Sequence, residues 1–386
     1  MNIRSKRWIV SGALAASIGA LPFALKLHAQ GQAAAQGPTA AARPQMSDQA
    51  FKNVQVLKGI PVDEFMGTMG LFSAALSYCC GDCHTGAGTD NPKWEDDPPR
   101  KKRARQMTEM VKNINKTNFP GSQPAVTCWT CHRGSPNPAV TPSIDMIYGE
   151  PLSFPADIVP TGRSGVPTAD EIFARFTTAI GGTDAINKLT SYSAKGTSHL
   201  FGETRDDSME LYAKIPDDLV TTVHQREGDV ARSFNGRDAW VMLPLTVVKE
   251  YPLTGSAREG GKLDAEMAFP GRLKSYFQTW RVGTPVTLDG RENNVLQARA
   301  TGILATFYFD KETNLLTRMV RYADSAVGRV PTQIDYSDYQ PVAGVKLARK
   351  WIYGWVSGRE EYAITEVQPN VQIDAAKFAR PVQRTK

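Results

Sequence analysis

Two pentapeptides, Cys80-Gly81-Asp82-Cys83-His84 and Cys128-Trp129-Thr130-Cys131-His132, constrain this 386-residue chain before anything else does. In each, two thiols lie a short loop apart, where they can form thioethers to the vinyl groups of one porphyrin, with the adjacent histidine held beneath the iron. The pair therefore predicts two covalently bound haem c groups, attached at Cys80 and Cys83 and at Cys128 and Cys131, with His84 and His132 as axial ligands. A four-thiolate zinc site is the competing use of two such pairs. It leaves both histidines without a role.

A fifth cysteine, Cys79, has no partner once the other four are used. Cys79 with Cys83 and His84 can be read as a wider attachment site, but Cys80 repeats the spacing of the second motif and is preferred. Cys79 is then a small residue packed beside the haem, or an intermolecular link.

Each iron needs a sixth ligand. Of the five histidines, His28 lies near the N-terminus, His84 and His132 are taken, and His199 and His224 belong to a different region. Methionine is the better candidate. Pro61 opens a helix with Asp63 and Glu64 in its first turn, along which Val62, Phe65, Met66, Met69, Phe72 and Leu76 follow helical spacing. A second helix, from about Pro99 to Ile114, places Met107, Met110, Val111 and Ile114 on one side. Each helix thus offers a methionine pair just ahead of its motif, and spacing alone leaves both members of each pair open, as well as simple core packing.

A saturated His/Met iron has a raised potential and no open position, which points to electron transfer and not to catalysis. A peroxidase or oxidase with one open iron is the enzyme alternative. The run Arg100-Lys101-Lys102-Arg103 with Arg105 reads as a steering patch for an acidic redox partner, as charge for haem propionates, or as an ordinary solvated helix face.

The N-terminus has the layout of an export signal over residues 1–29: Arg4, Lys6 and Arg7, an apolar run from Trp8 to Leu25, then Leu27-His28-Ala29 as a cleavage site. The expectation is a periplasmic or otherwise extracytoplasmic protein, with an uncleaved membrane anchor as the rival reading. Residues 30–50, rich in Ala, Gln, Gly and Pro, read as a flexible tether. Residues 51–138 form the α-helical dihaem module, and 139–167 a Pro-rich linker that sustains neither helix nor central strand.

From 168 to 386 the pattern becomes β-rich, with no cysteine. Thr168 caps a helix running through Ile180. Alternation follows in Met209-Leu211-Ala213-Ile215, Ala305-Phe307-Phe309 and Trp351-Tyr353-Trp355, with turn signals at Asn235-Gly236 and Asp289-Gly290. About ten short strands predict an antiparallel sheet curved around an apolar face. The fold class is thus a multidomain chain, helical module first and curved antiparallel sheet second. With 41% hydrophobic and 22% charged residues and a net charge of +6, the chain reads as globular protein, and nucleic acid is not the expected partner.

The stretch Lys52-Asn53-Val54-Gln55-Val56-Leu57, leading into Glu64-Phe65-Met66-Gly67-Thr68-Met69, and Ala104-Arg105-Gln106-Met107 ahead of the second motif, resemble the cytochrome c subunit of photosynthetic reaction centres. The resemblance covers roughly Phe51 to Pro138, with two of that family's four haem repeats. It implies an electron carrier whose distal iron ligands are Met69 and Met107. It also implies a redox partner that is a membrane complex, photosynthetic or respiratory. The C-terminal region, through Tyr336-Ser337-Asp338-Tyr339 and Val342-Ala343-Gly344-Val345-Lys346-Leu347, resembles exported lipoprotein-carrier and sorting proteins, a half-barrel wrapped around helices. That implies an inner face able to hold an apolar ligand, unless Trp240, Phe307, Phe309, Trp351, Tyr353 and Trp355 simply fill a core.

Overall fold

The structure, a computed structural model, describes residues 43–382 apart from 122–123, 139, 142–157, 163 and 301. The export signal and most of the linker lie outside the described residues. Among those described, no helix is long and apolar enough to cross a membrane.

The N-terminal part is helical. After a single turn, α1 (Ser47–Ala50), comes α2 (Val62–Leu76), which starts after Pro61 and ends at Ser77 in the left-handed conformation. The motifs form short helices α3 (Cys80–Cys83) and α5 (Cys128–His132), and between them runs α4 (Pro99–Asn118), one turn longer than its apolar pattern suggests. Pro61 and Pro99 start these helices because proline sacrifices no hydrogen bond there and presets φ.

Helix α6 (Ala169–Ala179) begins as its sequence predicts. Thr168 Oγ1 accepts from the Glu171 N–H at 3.2 Å, and the Glu171 carboxylate accepts from the Thr168 N–H at 2.7 Å, a reciprocal cap. A short α7 (Thr183–Lys188) leads into the sheet.

Fourteen strands are seen among the described residues. They are β1 (Ser191–Leu200), β2 (Asp207–Lys214), β3 (Asp218–Gln225), β4 (Gly228–Asn235), β5 (Ala239–Met242), β6 (Glu250–Pro252), β7 (Trp280–Val282), β8 (Val286–Leu288), β9 (Arg291–Ala300), β10 (Ile303–Asp310), β11 (Leu316–Ser325), β12 (Gly328–Val342), β13 (Val345–Trp355) and β14 (Gly358–Pro369). The order is β6-β5-β4-β3-β2-β1-β14-β13-β12-β11-β10-β9-β7, with β8 on β9, and the pairing is antiparallel throughout. The sequence pattern suggests about ten; β6, β7 and β8 have three residues each, too few for an alternation to show. Asn235-Gly236 and Asp289-Gly290 sit at tight turns, the latter with φ of 49° and 79°, the left-handed pair that a two-residue hairpin demands.

One face of the sheet packs on α6, α8 (Gly255–Met267) and α9 (Leu273–Tyr276). Phe173, Phe176, Leu263, Leu273, Phe307, Phe309 and Met319 form one core cluster, and Tyr192, Met209, Leu211, Phe269 and Tyr362 a second. Of the strand aromatics, Phe307 and Phe309 are fully buried, whereas Trp351, Tyr353 and Trp355 are only partly so. Before the sheet begins, Thr161 bridges to Gly283 and the Gly162 N–H donates to Val282, so this stretch of the Pro-rich segment adds to the sheet edge.

Helix α2 lies against the hairpin ends of this sheet. A side-chain carbon on Gly70 would meet Val356 Cγ2 at 2.7 Å, one on Gly67 would meet Val330 Cγ2 at 3.6 Å, and one on Gly328 would meet Leu71 Cδ2 at 3.4 Å. Asp63, almost fully buried, accepts from the Thr254 N–H at 2.5 Å and from Thr254 Oγ1 at 3.0 Å. The glycine is needed at position 70 for approach. A gain of about 1 kcal/mol in helix propensity on replacing it is outweighed by overpacking of about 1–3 kcal/mol. Gly70→Leu should lower the denaturation midpoint, with Gly121→Ala, where nothing lies near and φ is not left-handed, as the control.

Candidate haem-attachment sites

The first motif begins at the N-terminus of α3, with Cys79 outside it as the capping residue and Cys80 and Cys83 at its two ends. The Asp82 carboxylate folds back to accept from the Cys79 N–H at 3.0 Å and from its thiol at 3.3 Å, and it pairs with Arg100 of α4 at 2.6 Å. These donors, the Cys79 amide first, hold Asp82 below the usual carboxylate range. The His84 N–H closes the turn on Cys80 O at 2.9 Å, and its half-buried ring meets Trp94 edge-on at 5.2 Å. Burial, aided by the Lys101 ammonium, pushes His84 below the ordinary imidazole range. That favours the neutral ring, the form that binds metal.

The second motif repeats the turn. Thr127 caps α5, with its N–H donating to Thr130 Oγ1 at 3.0 Å. His132 Nδ1 lies 2.9 Å from Ser135 O. A carbonyl there requires the proton on Nδ1 and leaves the Nε2 lone pair for a metal. Arg133 and Gly134, with φ of 49° and 83°, turn the chain back onto α2, where the Gly134 N–H donates to Ala75 O at 3.0 Å and Ser77 Oγ donates to Gly134 O at 2.6 Å.

Helix α4 braces both sites. Asn115 grips the segment ahead of the second motif: its Nδ2 donates to Val126 O at 2.6 Å, and its Oδ1 accepts from the Ala125 and Val126 amides, each at 2.9 Å. On the first-motif side, Lys101 donates to Trp94 O and Asp96 O, and Arg105 pairs with Asp97 at 2.8 Å. Three members of the basic run, Arg100, Lys101 and Arg105, are thus engaged within the module. Lys102 and Arg103 are exposed.

Met66 and Met69 are partly buried on α2, as is Met107 on α4, whereas Met110 is 43% exposed. The apolar side chains of this segment do not close into a core of their own. Each buried cluster of apolar residues described lies at or beyond Ile172, while Phe65, Met66, Met69, Phe72, Met107 and Ile114 remain half-exposed. Thiol pairs on single turns, metal-ready imidazoles and unburied apolar side chains together suit two porphyrins, whose faces would supply the missing apolar mass. Among the described residues no three His, Cys, Asp or Glu side chains gather as a metal cluster.

Sequence patterns alone passed over Asn115 and Trp94, and marked Asp63 only as an acidic residue in a helix's first turn. Asn115 had a visible signal, as a polar residue one step from Ile114 on the apolar side of α4.

Asp63 gives the junction a pH dependence. Burial raises its carboxyl above the ordinary carboxylate range, against the opposing Thr254 hydrogen bonds, and burial with the Asp63 and Asp324 charges raises Glu64 too. A raised carboxyl pKa contributes stability in full below the unfolded value, and the contribution is lost as pH rises through the folded one. Asp63→Asn keeps an acceptor for Thr254 and removes the buried charge. Unfolding followed just above the ordinary carboxylate range should show a shallower fall of stability with pH than the parent. Asn115→Ala should cost about 1–3 kcal/mol by stranding the Ala125 and Val126 groups, measured by chemical denaturation.

The family model of the photosynthetic reaction centre cytochrome C subunit matches residues 22–146. Relatives include the photosynthetic reaction center cytochrome c subunits of Thermochromatium tepidum, 30% identical over 33% of this chain, and of Rubrivivax gelatinosus, 36% identical over 24% of it. The matched stretches span 30% and 25% of those relatives' own lengths. Among solved structures, a LolA superfamily protein from Nitrosomonas europaea aligns with 55% of this chain and 98% of its own at 11% identity and a TM-score of 0.36. An outer membrane lipoprotein-sorting protein domain from Vibrio parahaemolyticus aligns with 54% and 95% at 13% identity and a TM-score of 0.37.

Proposed function

We propose that this chain is an extracytoplasmic c-type cytochrome that carries electrons on two covalently attached haems, one on Cys80 and Cys83 and one on Cys128 and Cys131. The observation that carries the reading is the repeated site: a Cys-x-x-Cys turn followed by a histidine, built twice and braced by one helix. The reaction centre cytochrome match, whose residues 22–146 include both motifs, supports it. Bound haem supplies a one-electron couple at each site.

The protein's own residues orient and tune. The Ser135 carbonyl fixes the His132 tautomer and ring plane, and Trp94 packs against the His84 ring. Met69 and Met107 are proposed as the sixth ligands. Met107 is more enclosed than Met110, in keeping with that choice; burial does not separate Met69 from Met66. With both irons saturated, the protein carries electrons and is not an oxidase or peroxidase. Its partners are redox proteins, among them a membrane complex of the photosynthetic or respiratory kind, and its place is the periplasm. The helical module and the β-rich region are two domains, joined through the Pro-rich segment.

Pyridine haemochrome analysis of the purified protein should give two haems per chain, falling to one in Cys80→Ala/Cys83→Ala and in Cys128→Ala/Cys131→Ala. A value of one or none in the parent overturns the reading. Met69→Ala and Met107→Ala should each abolish the methionine-to-iron charge-transfer band of one haem and spare the other. Met66→Ala and Met110→Ala should keep both bands, and retention of both in Met69→Ala or Met107→Ala would reassign the ligand.

A further inference from the structure

The sheet encloses a cavity of about 300 Å³ between its inner face and α8. Much of its lining is aromatic: Trp351 and Tyr362 stack on each other with centroids 5.1 Å apart and planes 15° off parallel, and Tyr336 and Tyr353 line it beside them. Its charged groups are two arginine–carboxylate pairs. Arg321 grips Asp264 with two hydrogen bonds of 2.9 and 2.7 Å, and Arg232 Nη1 lies 3.5 Å from Glu360 and donates to Tyr362 Oη at 3.0 Å.

These pairs decide what charge a guest can bear. Two cations against two carboxylates leave the walls neutral, and a further anion would enter without a counterion, at the cost that burying an unpaired charge carries. A neutral hydrogen-bond acceptor meets no such cost. Arg232 has donors for it: its described contacts all run through Nη1, Nε and Nη2 make no hydrogen bond among the described residues, and 27% of its side-chain surface remains reachable. Its guanidinium also lies over the rings of Tyr353 at 4.8 Å and Trp355 at 5.6 Å, which fix its plane.

Size narrows the guest further. Small-molecule pockets run from about 300 to 1,000 Å³, so this one admits a body of one or two rings and not a pair of acyl chains. A lining rich in aromatic rings, Trp240, Tyr336, Trp351, Tyr353 and Tyr362 among them, favours a flat ring over a flexible chain. The cavity lining lies wholly in the β-rich region, between Tyr192 and Tyr362, and the α2 contact at Gly70 is with Val356, one residue beyond the Trp355 ring that Arg232 overlies.

We propose that the cavity is a binding site for a neutral, planar ring carrying carbonyl or hydroxyl oxygens, the quinone class, with Arg232 donating to one oxygen and Trp351, Tyr353 and Tyr362 flanking the ring. The redox sense of this choice rests on the electron-carrier reading; the binding itself does not. Equilibrium dialysis of the full-length, haem-loaded protein against menadione tests it, with oleate as a parallel probe for an acyl-chain pocket.

One menadione should bind per chain without displacement by oleate. Arg232→Lys should weaken binding at least tenfold, and Ala257→Phe, which grows from α8 into the cavity, should remove it. Far-UV circular dichroism of each variant checks its fold. No menadione bound by the parent, stoichiometric displacement by oleate, or unchanged binding in a folded Ala257→Phe would overturn the proposal. A haem count other than two with menadione still bound would instead remove the carrier reading and leave the pocket standing.

Discussion

The docking of α2 on the sheet is the contact from which the rest of the arrangement follows. This one helix presents Met66 and Met69, buries Thr68, Leu71 and Ala75, and offers Ala75 O to the turn that follows the second motif. Its approach is set by glycines, which leave room for the Val356 and Val330 side chains, and by a carboxylate that trades hydration for two Thr254 hydrogen bonds. Without that platform, the motif segment has few apolar contacts of its own with which to order itself. Fold and chemistry meet at a surface of the sheet and not inside the helical module.

Charge is used in the same local way. The basic run of α4 reads as an outward-facing patch, yet Arg100 turns to Asp82 and Lys101 and Arg105 turn to the segment around Asp97. The acidic stretch Glu95-Asp96-Asp97 immediately before it was available as a signal. What these ion pairs achieve is geometric. The Arg100–Asp82 pair is largely exposed and worth little by itself, whereas Lys101, Arg105 and Asp97 are partly buried; together they tie the loop after His84 to the same helix that braces the second site through Asn115.

How far the chain could be read in advance depended on the range of the interaction. The Thr168–Glu171 cap, the Pro61 and Pro99 helix starts and the Asp289-Gly290 turn were legible because each is decided within a few residues. The motifs were legible because their chemistry fixes the spacing. Asp63 was seen only as an acidic residue in a first turn, since its partner Thr254 is remote in sequence. Likewise Trp351 and Tyr353, readable as core, line a cavity because strands on both sides of β13 and helix α8 leave space there. Such a gap belongs to the assembled layers and to no single strand.

One feature of the sheet bears on how the protein comes into being. The first strand, β1, pairs with the last, β14, in the middle of the sheet. The edges of β1 and β13 therefore wait for residues 358–369, and the platform under α2 belongs to the same late-closing sheet. Pairings this distant in sequence give a high contact order and slow closure. The motif segment leaves the ribosome long before its support exists. Attachment of a cofactor at Cys80 through Cys131 would thus act on a segment still open on all sides, with docking on the sheet as the later event that locks the cysteine-bearing turns in place.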